Sequence, residues 1–87
     1  ATGADRGRAL AARGQIERDS GQTAASLQSY EQAAASFREH GDLPRLAHSV
    51  RHAADVASEM GDRGTAEVYY REALALYAAL PEKNPLD

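Results

Sequence analysis

The chain contains no cysteine and no tryptophan. Without cysteine, neither disulfides nor thiolate metal sites can hold it together. Aromatic residues make up only 6% of it, one Phe and four Tyr, so any core must be built largely from small aliphatic side chains. No apolar run approaches the ~20 residues that cross a bilayer, and no signal peptide is visible. No stretch alternates apolar and polar residues as a half-buried strand does. There is no P-loop, no glycine-rich dinucleotide turn and no nucleophile elbow. The sequence therefore carries no catalytic signature, and neither enzyme activity nor a cofactor is expected. With 13 acidic and 10 basic residues the net charge is −3, which argues against non-specific nucleic-acid binding. A membrane partner is not expected either.

What is present is a short globular composition. Of 87 residues, 43% are hydrophobic and 26% charged, enough for one domain with a modest core and marginal stability. Nine arginines to one lysine (Lys83), with abundant alanine, is the usage of a GC-rich genome and points to a bacterial source; the expected location is the cytoplasm. The chain opens on Ala1 rather than Met, so the expectation is a processed chain or a piece of a longer one.

The strongest signal is internal repetition. Aligning Tyr30 with Tyr70 pairs Leu10 with Val50, Gly14 with Ala54 and Gly21 with Gly61. It also pairs Ser26 with Ala66, Ala33 with Ala73, and Phe37 with Tyr77. Gly21 and Gly61 stand just past helical runs, where glycine takes the left-handed C-cap conformation. Gly14, Ala54, Ser26 and Ala66 are small enough to let two antiparallel helices approach closely. Tyr30, Ala33 and Phe37 share one helical stripe, as do Tyr70, Ala73 and Tyr77.

This pattern resembles the tetratricopeptide repeat. Both have a small residue midway along a first helix, glycine at the turn, a small residue early in the second helix, then Tyr-x-x-Ala. The usual unit is roughly 34 residues. The forty-residue spacing here is closer to longer-period variants such as kinesin light chain or Leu-Gly-Asn repeats, and Gly41-Asp42 fits their turn between units. The chain departs from the pattern at Arg13 and Glu17, where apolar or aromatic side chains usually pack. It departs again at Thr23 and Arg63, where an aromatic often follows the turn. The resemblance implies an all-α fold: two antiparallel helix-turn-helix repeats, four helices, stacked as a short right-handed α-solenoid. It is a single domain over 1–87, with one repeat at 7–40 and the next at 47–80. The tail 81–87 would begin a further helix.

Taken in order, residues 1–4 read as a flexible end. Asp5 caps a first helix running to about Ser20, with Leu10, Ile16 and the small residues inward. Thr23 caps a second to about His40, its inner stripe Leu27, Tyr30, Ala33, Ala34 and Phe37. Asp42 caps a third, with Pro44 in its first turn, carrying Leu46, Val50, Ala53, Ala54, Ala57 and Met60. A fourth spans Arg63 to Leu80 and Pro81 ends it. Glu67 and Arg71 form an exposed i, i+4 pair. Tyr69 falls off the repeated stripe, which suggests exposure at an interface. Val68, Leu74, Leu76 and Leu80 cannot all face inward. Stacked repeats need about three units or a polar cap, so the chain reads as a fragment of a longer array or a homo-oligomer that caps itself. The plainer alternative is a small monomeric four-helix unit.

Candidate sites are few. His48 and His52 lie four apart, with Asp55 three further on, a spacing that can present two imidazoles and a carboxylate to zinc. No Glu follows the first His and Arg51 stands beside the pair, so these are preferred as polar residues on a solvated face, and no metal is expected. The family resemblance implies that the first helix of each repeat lines a concave groove. Its groove positions fall on Arg8, Ala11, Gln15 and Arg18, then on His48, Arg51, His52 and Asp55. Some family members clamp a peptide carboxylate with Lys and Asn. The matching residues here are Ala11 and Gln15, then Arg51 and Asp55, so that clamp is not expected. Arg8, Arg18 and Arg51 still offer fork-shaped donors for carboxylates. The expectation is a non-enzymatic interaction module whose partner is a protein or an acidic or C-terminal peptide. The alternative is a self-associating structural element.

Overall fold

Each of the first three helices stops at a glycine. Gly21, Gly41 and Gly61 have φ of 79°, 68° and 82°, a left-handed conformation that glycine alone adopts without steric cost. Past them, the amides of Gln22, Asp42 and Asp62 reach back to the carbonyls of Glu17, Phe37 and Ala57 at 2.8, 2.9 and 2.9 Å. The glycine amides bond the carbonyls of Arg18, Arg38 and Ser58, completing a Schellman closure at every turn. The three like turns join α1 (Gly3–Asp19), α2 (Thr23–Glu39), α3 (Leu43–Glu59) and α4 (Arg63–Ala79), each 17 residues long. The computed structural model describes residues 3–81, and no strand occurs among them.

The starts are less uniform than the stops. Asp42 and Asp62 are N-caps, accepting from the Arg45 and Thr65 amides at 3.2 and 3.1 Å. A side-chain bond from Arg45 holds the Asp42 carboxyl below its ordinary pKa, and Thr65 does the same for Asp62. Two expected caps are corrected. Gln22, not Thr23, is the N-cap of α2 and makes no side-chain bond there. Asp5 lies inside the first turn of α1, which begins at Gly3. Favourable interaction with the helix dipole still places a carboxylate there. α4 ends at Ala79, because Leu80 before Pro81 takes an extended backbone, φ −76° and ψ 146°.

Three-residue turns make neighbouring helices antiparallel, and α1 packs on α2, α2 on α3, and α3 on α4. Together they form an all-α helical repeat arrangement. Large rings against small residues set the spacing. A Cβ on Gly14 would meet the Tyr30 ring at 3.0 Å, and one on Gly7 would meet Phe37 at 2.7 Å. Ser26 Oγ donates to the Gly14 carbonyl at 2.7 Å, satisfying a hydroxyl buried at the crossing. Phe37, Ala33, Ala34, Leu46, Val50 and Ala73 form one core cluster, and Tyr30, Ala53 and Val56 a second.

Three burial assignments are corrected. Ile16 is 66% exposed, since no described helix lies over that face of α1. Met60 is the C-cap of α3 and is exposed. Tyr69, expected outside, packs against both clusters and donates its hydroxyl to Glu31. Burial and that bond push its pKa up to about 12. The inverse holds for the repeated stripe of α4, where Tyr70 and Tyr77 are both half-exposed. Val68 and Leu74 face outward, as the composition of α4 requires. Of the 81–87 tail, residues 82–87 lie outside the described residues.

Candidate functional site

α1 and α3 both lie against α2, and their outer residues form one strip. At its first end a cleft of about 170 Å³ is lined by Arg8 and Ala11 of α1, Phe37 of α2, and Arg45, His48 and Ser49 of α3. Its floor is apolar, because Phe37 is buried and Ala11 packs on the core. Its rim is basic. Arg45 bonds Asp42 at 2.8 Å, whereas Arg8 makes no ion pair among the described residues.

The middle of the strip is a chain of rings. Tyr30 Oη donates to Gln15 Oε1 at 3.1 Å, and Gln15 Nε2 donates to Asp19 at 2.9 Å. The Tyr30 ring stacks on His52, with centroids 5.1 Å apart and 11° between planes. His52 meets His48 edge-on at 4.4 Å, and their Nε2 atoms are 3.0 Å apart. Burial pulls the His52 pKa below its ordinary value, helped by His48, Arg18 and Arg51 and opposed by Asp55. His52 is therefore neutral at pH 7, and its Nδ1 is buried without a hydrogen-bond partner. Burial also raises Tyr30. These two rings are core as much as surface.

The far end is closed by an ion pair. Arg18 donates from Nε to both Glu59 oxygens, at 3.3 and 3.1 Å, and pairs through its second nitrogen as well. The Glu59 bond raises the Arg18 pKa. Arg18 is thus a brace between α1 and α3, a use that sequence spacing did not reveal because Glu59 lies 41 residues away. Asp55 accepts from Tyr70 Oη of α4. Arg51 makes no ion pair among the described residues and lines a second cleft of about 210 Å³ with Tyr70, Ala73, Leu74 and Tyr77.

The seven expected residues lie on α1 and α3, in three different states. Arg8, Arg51 and His48 are exposed, Gln15, Arg18 and Asp55 are engaged with neighbours, and His52 is half-buried. Sequence reasoning missed Arg45 and Phe37, which complete the first cleft. Arg45 stands three residues before His48, a helical spacing that could have placed it there. It also missed Glu17, which is buried, accepts from Ser29 at 2.5 Å and pairs with Arg13 at 3.3 Å.

His48, His52 and Asp55 do not converge on one point. Among the described residues no three His, Cys, Asp or Glu side chains gather around one point, and Asp55 turns to Tyr70. No helix of the described residues is long and apolar enough to cross a membrane. No family model, curated protein or solved structure matches the chain.

Proposed function

We propose that the chain is a non-enzymatic protein-interaction module of tetratricopeptide-like build, and that a protein or peptide partner lies along the strip of α1 and α3. The supporting observation is the first cleft, where Arg8, Arg45 and His48 ring a floor of Phe37 and Ala11. Such a site suits an acidic group next to an apolar side chain. The guanidinium of Arg8 offers a planar fork to a carboxylate, and the apolar floor adds burial. Arg51 extends the basic rim along the strip. The scaffold is braced before binding by the Arg18–Glu59 pair and the Tyr30–His52 stack, so little conformational freedom is lost when a partner docks.

Capture from a cell lysate tests this reading, with three baits of equal helicity: the native chain, Arg8→Glu/Arg51→Glu, and Leu74→Asp. Both arginines and Leu74 are exposed, so none of the changes removes a core contact. A partner retained by Leu74→Asp and lost by the double charge reversal supports the strip. A partner lost only by Leu74→Asp moves the function to α4.

A further inference from the structure

The repeat says what kind of surface α4 presents. Forty residues earlier, Tyr30, Ala34 and Phe37 of α2 are buried between α1, where Gly14 and Gly7 admit the two rings, and α3, where Leu46, Val50 and Ala53 share their clusters. Their counterparts on α4 are Tyr70, Leu74 and Tyr77, which are 37%, 69% and 40% exposed. The outer face of α4 is thus built like a face that receives a helix.

The charges on the page decide between two arrangements of a second copy. In head-to-tail stacking, α1 of one copy would take the place that α3 has on α2. It would bring Arg6 and Arg13 where α3 brings Leu46 and Ala53. Two arginines would then be pressed onto Tyr70, Leu74 and Tyr77. Arg13 pairs only with Glu17 on its own helix, and Arg6 makes no ion pair among the described residues. Burying such charge is costly. A two-fold arrangement has no such conflict. Gly64, Glu67, Arg71 and Leu74 share one exposed stripe of α4. Position 69 is midway between 67 and 71, and equally midway between 64 and 74. An antiparallel α4 pair with its axis at that level sets acid against base and large against small. Val68 and Tyr70 flank the same axis, one on each side of the stripe. Nothing but Asp62, 3.9 Å away, approaches a Cβ placed on Gly64, so the hollow there is open to an incoming leucine.

We propose that two copies of this chain pair through α4 about a two-fold axis. Glu67 of each lies beside the partner's Arg71, and Leu74 of each lies over the partner's Gly64. Within one copy Glu67 and Arg71 already pair at 2.5 Å, so the dimer gathers four charges of alternating sign. Such a contact is isologous and closes at two. One helix face from each copy is a small interface, which places it among weak, concentration-dependent associations.

Sedimentation equilibrium of the full chain, from about 10 µM to 1 mM, tests this in the range where weak dimers are measured. The native chain is expected to go from monomer to dimer and no further. Glu67→Arg alone and Arg71→Glu alone each place like charges across the axis and are expected to weaken the dimer at least tenfold. An equimolar mixture of the two variants is expected to associate again, because each supplies the charge that the other lacks. Both substitutions exchange one strong helix former for another at an exposed site, and circular dichroism confirms equal helicity. Ile16→Asp, on the exposed face of α1, is expected to leave the dimer unchanged. A chain that stays monomeric overturns the proposal. So do single variants that dimerise undiminished, a mixture no tighter than its components, growth beyond the dimer, or a dimer lost with Ile16→Asp.

Discussion

Tyr30 and Tyr70 occupy the same place in two helices of equal length, and so do Phe37 and Tyr77. In the first hairpin both rings are 2% exposed, and in the second they are 37% and 40% exposed. Nothing in the local pattern distinguishes them. The difference is position in the stack: α2 has α1 on one side and α3 on the other, whereas α4 packs on α3 and reaches α2 on the same side, and no described helix lies on its other face. A helical stripe reports which residues point together. Coverage depends on what lies beyond the helix. The two hairpins also differ at their crossings, where Gly14 admits the Tyr30 ring and Ala54 stands in its place in the second.

Substitutions at matched positions sharpen this comparison. The largest effect is expected at Phe37. Phe37→Ala should cost about 3–5 kcal/mol in urea unfolding, the usual range for a buried ring. Tyr77→Ala at the matched position should cost under about 1 kcal/mol, as exposed sites do. Equal losses would break the comparison. Next comes the crossing. Gly14→Val pushes two methyl groups toward a ring that already lies 3.0 Å from a Cβ, and overpacking of this kind costs about 1–3 kcal/mol. Gly64→Ala, in open space, should instead raise the unfolding free energy, by about 0.4–1 kcal/mol.

A smaller effect concerns acid. The folded-state pKa of His52 is depressed by burial below its reference value of 6.5. The unfolded chain therefore binds its proton first, and stability falls as pH drops below 6.5 toward the folded value. His52→Gln should flatten that part of the pH–stability curve, followed by thermal melts, without changing the slope near neutrality. The smallest effect is expected at the exposed Glu67–Arg71 pair. Its removal by Arg71→Gln should shift stability in the monomer by only a few tenths of a kcal/mol.

Much of the fold was legible in the sequence because its punctuation is chemical. Glycine at 21, 41 and 61, aspartate at 42, and proline at 44 and 81 mark ends through backbone conformation and capping, which are local. Ile16, Tyr69 and Glu17 were not legible, because each depends on a neighbour distant in sequence. Ile16 matches Val56 in the repeat, but Val56 is fully buried and Ile16 has no helix over it. Tyr69 turns inward because α4 reaches α2 as well as α3, through Glu31 and through Arg38–Glu72. Glu17 is accepted inside by Ser29, which no periodicity can announce. The candidate strip was legible as a set of positions on two helices. Its chemistry was not, since the bracing of Arg18 by Glu59 and the burial of His52 arise only when α1, α2 and α3 pack.

Unequal coverage of two like hairpins underlies the proposed α4 surface, and native-state amide hydrogen exchange measures it most directly. The experiment is run at a concentration where the chain sediments as a monomer. Amides in the middle of α2 and α3 are expected to exchange slowest, through opening of the whole domain, and those in the second half of α4 markedly faster, through local opening. Protection of α4 equal to that of α2 in the monomer would contradict the unequal coverage and, with it, the outer face of α4 as a surface waiting for a partner.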